Sequence, residues 1–399
     1  MTELSLAAEF SALTRADWMK RVDAVLKGAS FEEKLVRSTA DGIRLEPLYG
    51  QIAGPRAARA HQTPWTLFQR VDHPDAAKAN AQVLDDLANG ATGLVLVGND
   101  AASARGFGID GPQLPRILHG VHLHAVKLKI EGSGSLALAD LIASQPIDPE
   151  RMAVGFAVTN AKDAVDLSRR GYAGPFMGAD GRTWHEQGAT EAQELGAVLA
   201  DAVARMRSMD DLNDAVLTRS VSVTLAANQD MFACLAKFRA MRLLWARVLE
   251  ASGLPQAPLK LHAETSWRMM AKLDPHTNII RATAAVFGAA LGGADSICVL
   301  PFSLSQGLPN GFARRVARNV QTVLAEEANL WRAADPASGA GYIETLTQAL
   351  CETAWQVFQH ADSGSWPKPE PSSLEGLPQI GTSAYRLKTE HAAEVEALA

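Results

Sequence analysis

Apolar and polar positions recur along this chain with two periods, and the switches between them lay out its elements. In residues 1–30 apolar positions fall at helical spacing, with Trp18, Val22 and Leu26 on one stripe and Gly28 as a stop. This predicts an N-terminal helical arm over residues 1–40. A helical pattern from Ala76 to Ala88 ends at Gly90 and leads into Gly93-Leu-Val-Leu-Val97, an apolar strand of the kind covered on both faces. Further strands are predicted at 121–130, 153–159, 176–185, 219–226, 259–265 and 295–300, with helical patterns between most of them.

Two stretches anchor this reading. Residues 229–250 form one strong amphipathic helix, whose apolar spacing marks it as scaffold on the outside of a sheet. In residues 259–319, Leu259, Leu261 and Ala263 alternate with Lys260 and His262, Asp274-Pro275 opens a helix and Gly292-Gly293 ends it. The apolar strand Ser296 to Leu300 and a basic helix from Phe312 to Asn319 complete the stretch. Seven or eight such units over residues 41–360 suit an α/β fold of the (β/α)8 TIM-barrel type. An open doubly wound sheet is the alternative, and the lack of a Gly-rich phosphate turn after the first strand weighs against it. Residues 361–399 read as a Pro-rich linker followed by a short helical tail.

Composition narrows the function classes. The 399 residues are 47% hydrophobic and 21% charged, values suited to a large folded unit. A net charge of −6 without a basic stripe argues against a nucleic-acid partner. Cys234, Cys298 and Cys351 are scattered and read as small core residues, not as a disulfide frame or zinc site. The first residues carry acids and no long apolar run, so neither a secretion signal nor a membrane span is expected, and the expected compartment is the cytoplasm. His119, His122 and His124 invite a metal reading, with His122 and His124 on one strand face. No carboxylate or Cys accompanies them at ligand spacing, so no metal is expected.

Particular residues then point to a family. His262, Thr265-Ser266, Asp274-Pro275, Asn278-Ile279, Arg281, Leu308-Pro309, Phe312-Ala313-Arg314 and Ala317-Arg318-Asn319-Val320-Gln321 occur in one order. So many matches are far more specific than a short motif. This run resembles the barrel domain of the adenosylcobalamin-dependent acyl-CoA mutases, methylmalonyl-CoA mutase above all. Gly42 to Tyr49 resembles the family's entry to the barrel, and Pro64-Trp65-Thr66 its Pro-Trp-Thr segment. Phe232, Ala236-Lys237, Arg239-Ala240, Arg242 and Leu244-Trp245-Ala246 resemble an outer helix of that barrel.

The resemblance runs from about residue 40 to 360 and departs from the family where the chemistry sits. The family's Asp-x-His-x-x-Gly cobalt-binding motif has no counterpart; Asp274-Pro275-His276 lacks the glycine and falls in the barrel stretch. The resemblance therefore implies that no cobalamin is bound by this chain and that any adenosylcobalamin sits in a partner. At the positions that match the family's substrate contacts at the barrel mouth stand Thr63, Phe68 and Arg70, with Arg70 in place of a tyrosine that wedges against cobalt. Lys260 replaces an arginine that reaches CoA, losing its planar fork. Glu264 replaces a glutamine and adds negative charge toward an anionic substrate. If a two-residue gap is allowed, Trp184-His185 matches the family's Tyr-His pair; ungapped, the pair falls on Arg182-Thr183. His185 is the single candidate for a catalytic role, as a donor to a thioester oxygen.

A barrel kept with its reactive positions altered is similar to the small (beta) subunit of heterodimeric methylmalonyl-CoA mutases. That resemblance implies a non-catalytic chain beside a large (alpha) subunit, which carries the methylmalonyl-CoA/succinyl-CoA interconversion, with the arm either against that partner or packed on its own barrel. A subunit without its partner is expected to expose an apolar patch, and homodimer formation of the isolated chain is one way to cover it. The alternatives are an active acyl-CoA mutase barrel that receives cobalamin from a separate chain, and an acyl-CoA-binding barrel with no mutase partner.

Overall fold

The apolar strand Gly93–Val97 is buried at all five positions and sits inside a continuous parallel sheet, as covering on both faces requires. The structure, a computed structural model, describes residues 13–60, 62–369 and 378–397. Its main sheet has eight strands: β1 Thr66–Val71, β2 Gly93–Val97, β3 Lys127–Glu131, β4 Val154–Gly155, β5 Met177–Asp180, β6 Val221–Ala227, β7 Lys260–Thr265 and β8 Ser296–Cys298. Their order is β4-β3-β2-β1-β8-β7-β6-β5, with every neighbouring pair parallel. The ends of this order meet. Phe156 N–H donates to the Pro175 carbonyl at 2.9 Å and Val158 N–H to the Phe176 carbonyl at 3.1 Å, which closes the sheet. The fold is a (β/α)8 TIM-type barrel.

Each strand alternates between helix layer and interior. Gln69 faces out, where its amide donates to Asp86 and to the Arg314 carbonyl, while Phe68 faces in against Val95, Val97 and Cys298. Helix Met231–Ala251 lies in the outer layer as its periodicity predicts, and it also buries two cations. Lys237 pairs with Glu194 at 2.7 Å, and Arg239 pairs with Glu344 at 2.9 Å and with Asp335.

Helices Glu191–Ser208 and Gly341–Asp362 pack along their lengths, and Gly196 sets their separation. A Cβ there would stand 2.5 Å from the Val357 side chain and 2.7 Å from the Ala354 carbonyl. Gly196→Ala should therefore destabilise by about 1–3 kcal/mol through overpacking, although alanine is the better helix former by ~1 kcal/mol. A lowered thermal midpoint checks this; a raised one would mean that the two helices can separate.

Three expectations change. The predicted strand at 121–130 begins at Lys127, and Leu123–Ala125 is a 3-10 turn, so His122 and His124 do not share a strand face. The predicted strand at 176–185 ends at Asp180, and Arg182–Glu186 is a short helix begun by the turn at Gly181. The expected helical tail is not helical: residues 378–397 are irregular, with a turn at 381–383, and lie across the loops after β7 and β8. There Glu396 N–H donates to the Leu308 carbonyl at 2.8 Å, its carboxylate pairs with Lys78 at 2.8 Å, and the Glu390 carboxylate accepts from Asp274 N–H at 3.0 Å. These bonds replace those a helix would have made.

The N-terminal helix Arg15–Leu26 starts at a Thr14/Asp17 capping box and buries none of its residues, and Trp18 packs edge-on against Phe31. The first part of the expected arm lies outside the described residues. Among the described residues, no helix is long and apolar enough to cross a membrane, and no group of three or more His, Cys, Asp or Glu could hold a metal.

Candidate active site at the barrel mouth

In a (β/α)8 barrel, chemistry is placed where the strands end. Here those ends carry a closed cluster of opposite charges. Period-2 alternation turns Arg70, Lys129, Glu131, Asp180 and Glu264 inward at the ends of β1, β3, β5 and β7. Arg70 pairs with Asp72 at 2.9 Å and with Glu264 at 3.2 Å, and donates to the Ser103 carbonyl at 2.8 Å. Arg182 reaches Glu264 at 2.9 Å, Glu131 at 2.9 Å and Asp180 at 2.7 Å. Lys129 and the Ser103 hydroxyl complete the bonding of Glu131. Arg314 approaches Asp72 at 3.5 Å, so four cations face four carboxylates.

Burial gives this cluster its energy. Arg70 is 2% exposed, Glu264 1% and Arg182 5%, so every charge must find its partner inside the protein. Burial penalises the charged form of Glu131, but Arg182, Lys129 and Ser103 outweigh it and hold the carboxyl well below its usual range. Burial likewise works against Arg182 and Arg70, and the facing carboxylates raise both guanidinium pKa values despite it. Beneath the cluster, Phe68, Val95, Val97 and Cys298 fill the interior. His262 sits edge-on to Phe68 with Nδ1 2.8 Å from the Ser296 hydroxyl, and burial, with Lys129 nearby, pushes its pKa well down. The space left beside Lys129, Glu131 and Arg182 is about 120 Å³, room for a few water molecules.

A larger cavity, about 770 Å³, opens outside the cluster. It is lined by His185 and Ser266 at its floor, by Asp41 of the 37–45 hairpin, and by Arg268, Met269 and Ile280. His185 Nε2 lies 2.8 Å from Ser266 Oγ, and Nδ1 lies 3.4 Å from Glu194. Burial lowers the His185 pKa against the pull of Glu194.

The positions singled out by resemblance therefore separate into groups. Arg70 and Glu264 are brought together in the mouth cluster, and Phe68 lies one layer below. Trp184 stacks on Trp366 at 5.5 Å, and His185 faces the second cavity. Thr63 and Lys260 are not at the mouth: Thr63 precedes β1, Lys260 is the first residue of β7, and both are exposed at the opposite end. Sequence reasoning missed Arg182, Glu131, Lys129 and Asp72 as members of the cluster. The polar–apolar alternation of Lys127-Leu-Lys-Ile-Glu131 was the available signal for two of them.

Fold and site together define a (β/α)8 barrel whose mouth is filled by its own ion pairs. The methylmalonyl-CoA mutase family profile matches residues 176–367. The chain is 36% identical to the methylmalonyl-CoA mutase small subunit of Streptomyces virginiae, over 90% of this chain and 65% of that protein. It is 33% identical to the probable small subunit of Mycobacterium bovis, over 85% of this chain and 62% of that one. It is 30% identical to the small subunit of Propionibacterium freudenreichii subsp. shermanii, over 90% and 64%. This chain belongs to the methylmalonyl-CoA mutase family. It spans less than two thirds of the length of these curated relatives.

Proposed function

We propose that this chain is the non-catalytic small subunit of a heterodimeric methylmalonyl-CoA mutase. It supports a large subunit that binds adenosylcobalamin and interconverts methylmalonyl-CoA and succinyl-CoA in the cytoplasm. The observation that carries this reading is the mouth cluster: Arg70 and Arg182 pair with Glu131 and Glu264, and about 120 Å³ remains beside them. An acyl-CoA thioester bound there would have to part buried ion pairs before meeting a polar group. The residues present do not fit adenosylcobalamin at this mouth either, which favours placing the cofactor in the partner. The Arg15–Leu26 helix, with no buried residue and a stripe of Trp18, Val22 and Leu26, is a surface such a partner could cover. In isolation, a second copy could take its place.

The test is co-expression with a full-length large subunit from the same source, purified through a tag on this chain alone. Equimolar co-purification is expected, with methylmalonyl-CoA turnover only when the large subunit and adenosylcobalamin are present. Failure to co-purify would refute the reading. Turnover by this chain with a free cobalamin-binding domain and no large subunit would instead establish a working barrel with a borrowed cofactor.

A further inference from the structure

The cavity of about 770 Å³ is the size of a small-molecule site, and its floor holds a nucleophile–base pair that the mutase reading leaves unused. Ser266 follows the last residue of β7, and its backbone N–H is fixed on the Ala227 carbonyl at 2.7 Å. Its Oγ accepts from Met269 N–H at 3.2 Å, which leaves the hydroxyl proton for His185 Nε2 at 2.8 Å. That assigns the proton on the ring to Nδ1, which faces Glu194 at 3.4 Å. Glu194 is itself held by Lys237 at 2.7 Å and by Ala226 N–H at 2.9 Å. Nucleophile, base and orienting carboxylate thus stand in sequence, from three elements at the C-terminal side of the barrel.

We propose that Ser266 and His185, positioned by Glu194, form an acyl-transfer centre that hydrolyses carboxylic esters and thioesters entering this cavity. Leu45, Met269, Ile280, Leu346 and Leu350 line an apolar side suited to an acyl chain. Arg268, on the same cavity and donating to the His185 carbonyl at 2.6 Å, is a cation available to a developing oxyanion. Asp41, Glu191 and Asp230, which also line the cavity, disfavour an anionic acyl group. Ser266 Oγ bonds to the carbonyl carbon as its proton passes to His185 Nε2. The C–O or C–S bond then breaks, and His185 returns the proton to the leaving alcohol or thiol. Water repeats the sequence on the acyl-serine and frees the acid, so water alone is consumed and nothing is oxidised or reduced. Burial beside Lys237 and Arg268 keeps His185 neutral and able to accept the proton.

The test treats the full chain with a fluorophosphonate, which forms a P–O bond and releases fluoride, and follows p-nitrophenyl butyrate hydrolysis across pH. One adduct mapped to Ser266 is expected, with hydrolysis reduced at least ~100-fold in Ser266→Ala and His185→Gln. Glu194→Gln should slow hydrolysis and move its acid limb to lower pH, since the carboxylate that favours protonated His185 is gone; a merely structural role would leave the limb in place. Ser266→Cys guards against misfolding: its thiol should be alkylated by iodoacetamide faster than buried Cys234, whose pKa burial pushes up to about 12. No adduct, an adduct elsewhere, or equal hydrolysis by Ser266→Ala overturns the proposal. These outcomes do not depend on whether the chain binds a large subunit.

Discussion

Replacing Arg182 with alanine should destabilise the protein by about 3–5 kcal/mol, the range for removing one partner from a buried ion network. The reason is arithmetic of partners. Arg182 alone bonds Asp180, Glu131 and Glu264, the last two 6% and 1% exposed. Without it, Glu131 keeps Lys129 and Glu264 keeps Arg70, but each loses the charge that bridges them. Lysine would not restore the network, because the guanidinium meets Asp180 through Nε and Nη2 and Glu264 through Nη1, a planar fork that an ammonium lacks. Urea unfolding at neutral pH checks this: the midpoint should fall with an unchanged slope, and Arg182→Lys should recover less than half of the loss. A loss below about 1 kcal/mol would mean that the mouth is hydrated and open, and the argument for a filled barrel would fall with it.

The same cluster marks how far the sequence could be read. Strands such as Gly93–Val97 were legible because both faces are covered and every position is apolar. The strand Thr66–Val71 was not marked as one: Gln69 points outward to Asp86 and Arg70 inward to Glu264, so polar residues fall on both faces and the period disappears. Arg70 and Glu264 were each singled out as a departure from the family's contacts. That they compensate one another across 194 residues depends on the barrel's closure and on register, which local pattern does not carry. Glu264 read alone repels an anionic substrate; between Arg70 and Arg182 it is an internal counter-ion. Thr63 and Lys260 show the opposite error. Resemblance placed them among contact residues, but a residue before or at the start of a parallel strand lies at the far end from its chemistry. The tail misled for a third reason. Its composition favours a helix, yet tethers at Glu390 and Glu396 hold it in an irregular path over the loops.

Stability should fall in two stages as the solution is acidified. His185 and His262 have pKa values depressed by burial, His185 facing Glu194, Lys237 and Arg268, and His262 facing Lys129, Glu131 and Arg182. Unfolded, both would titrate near their ordinary 6.5. Below that pH the unfolded chain takes up protons that the folded chain refuses, so stability drops by up to about 1.4 kcal/mol per pH unit for each histidine. The second stage belongs to carboxylates. Burial opposes the charge of Glu194, but Lys237 and His185 bring its pKa down to about 2, and Glu131 is also held well below the ordinary 4.5. Their contribution is complete above 4.5 and is lost as pH falls toward their folded values. Asp41, raised above 3.8 chiefly by burial, works the other way just above that pH and offsets part of the second stage. Urea midpoints at pH 8, 7, 5 and 4 should therefore be level from 8 to 7, then decline from 7 to 5, then fall more steeply. His262→Gln should flatten the first decline by about 1.4 kcal/mol per pH unit and leave the second in place. A profile flat from pH 8 to 5 would mean that both histidines remain open to water, and that neither the barrel interior nor the floor of the Ser266 cavity is as dry as the packing around Phe68 and Met269 requires.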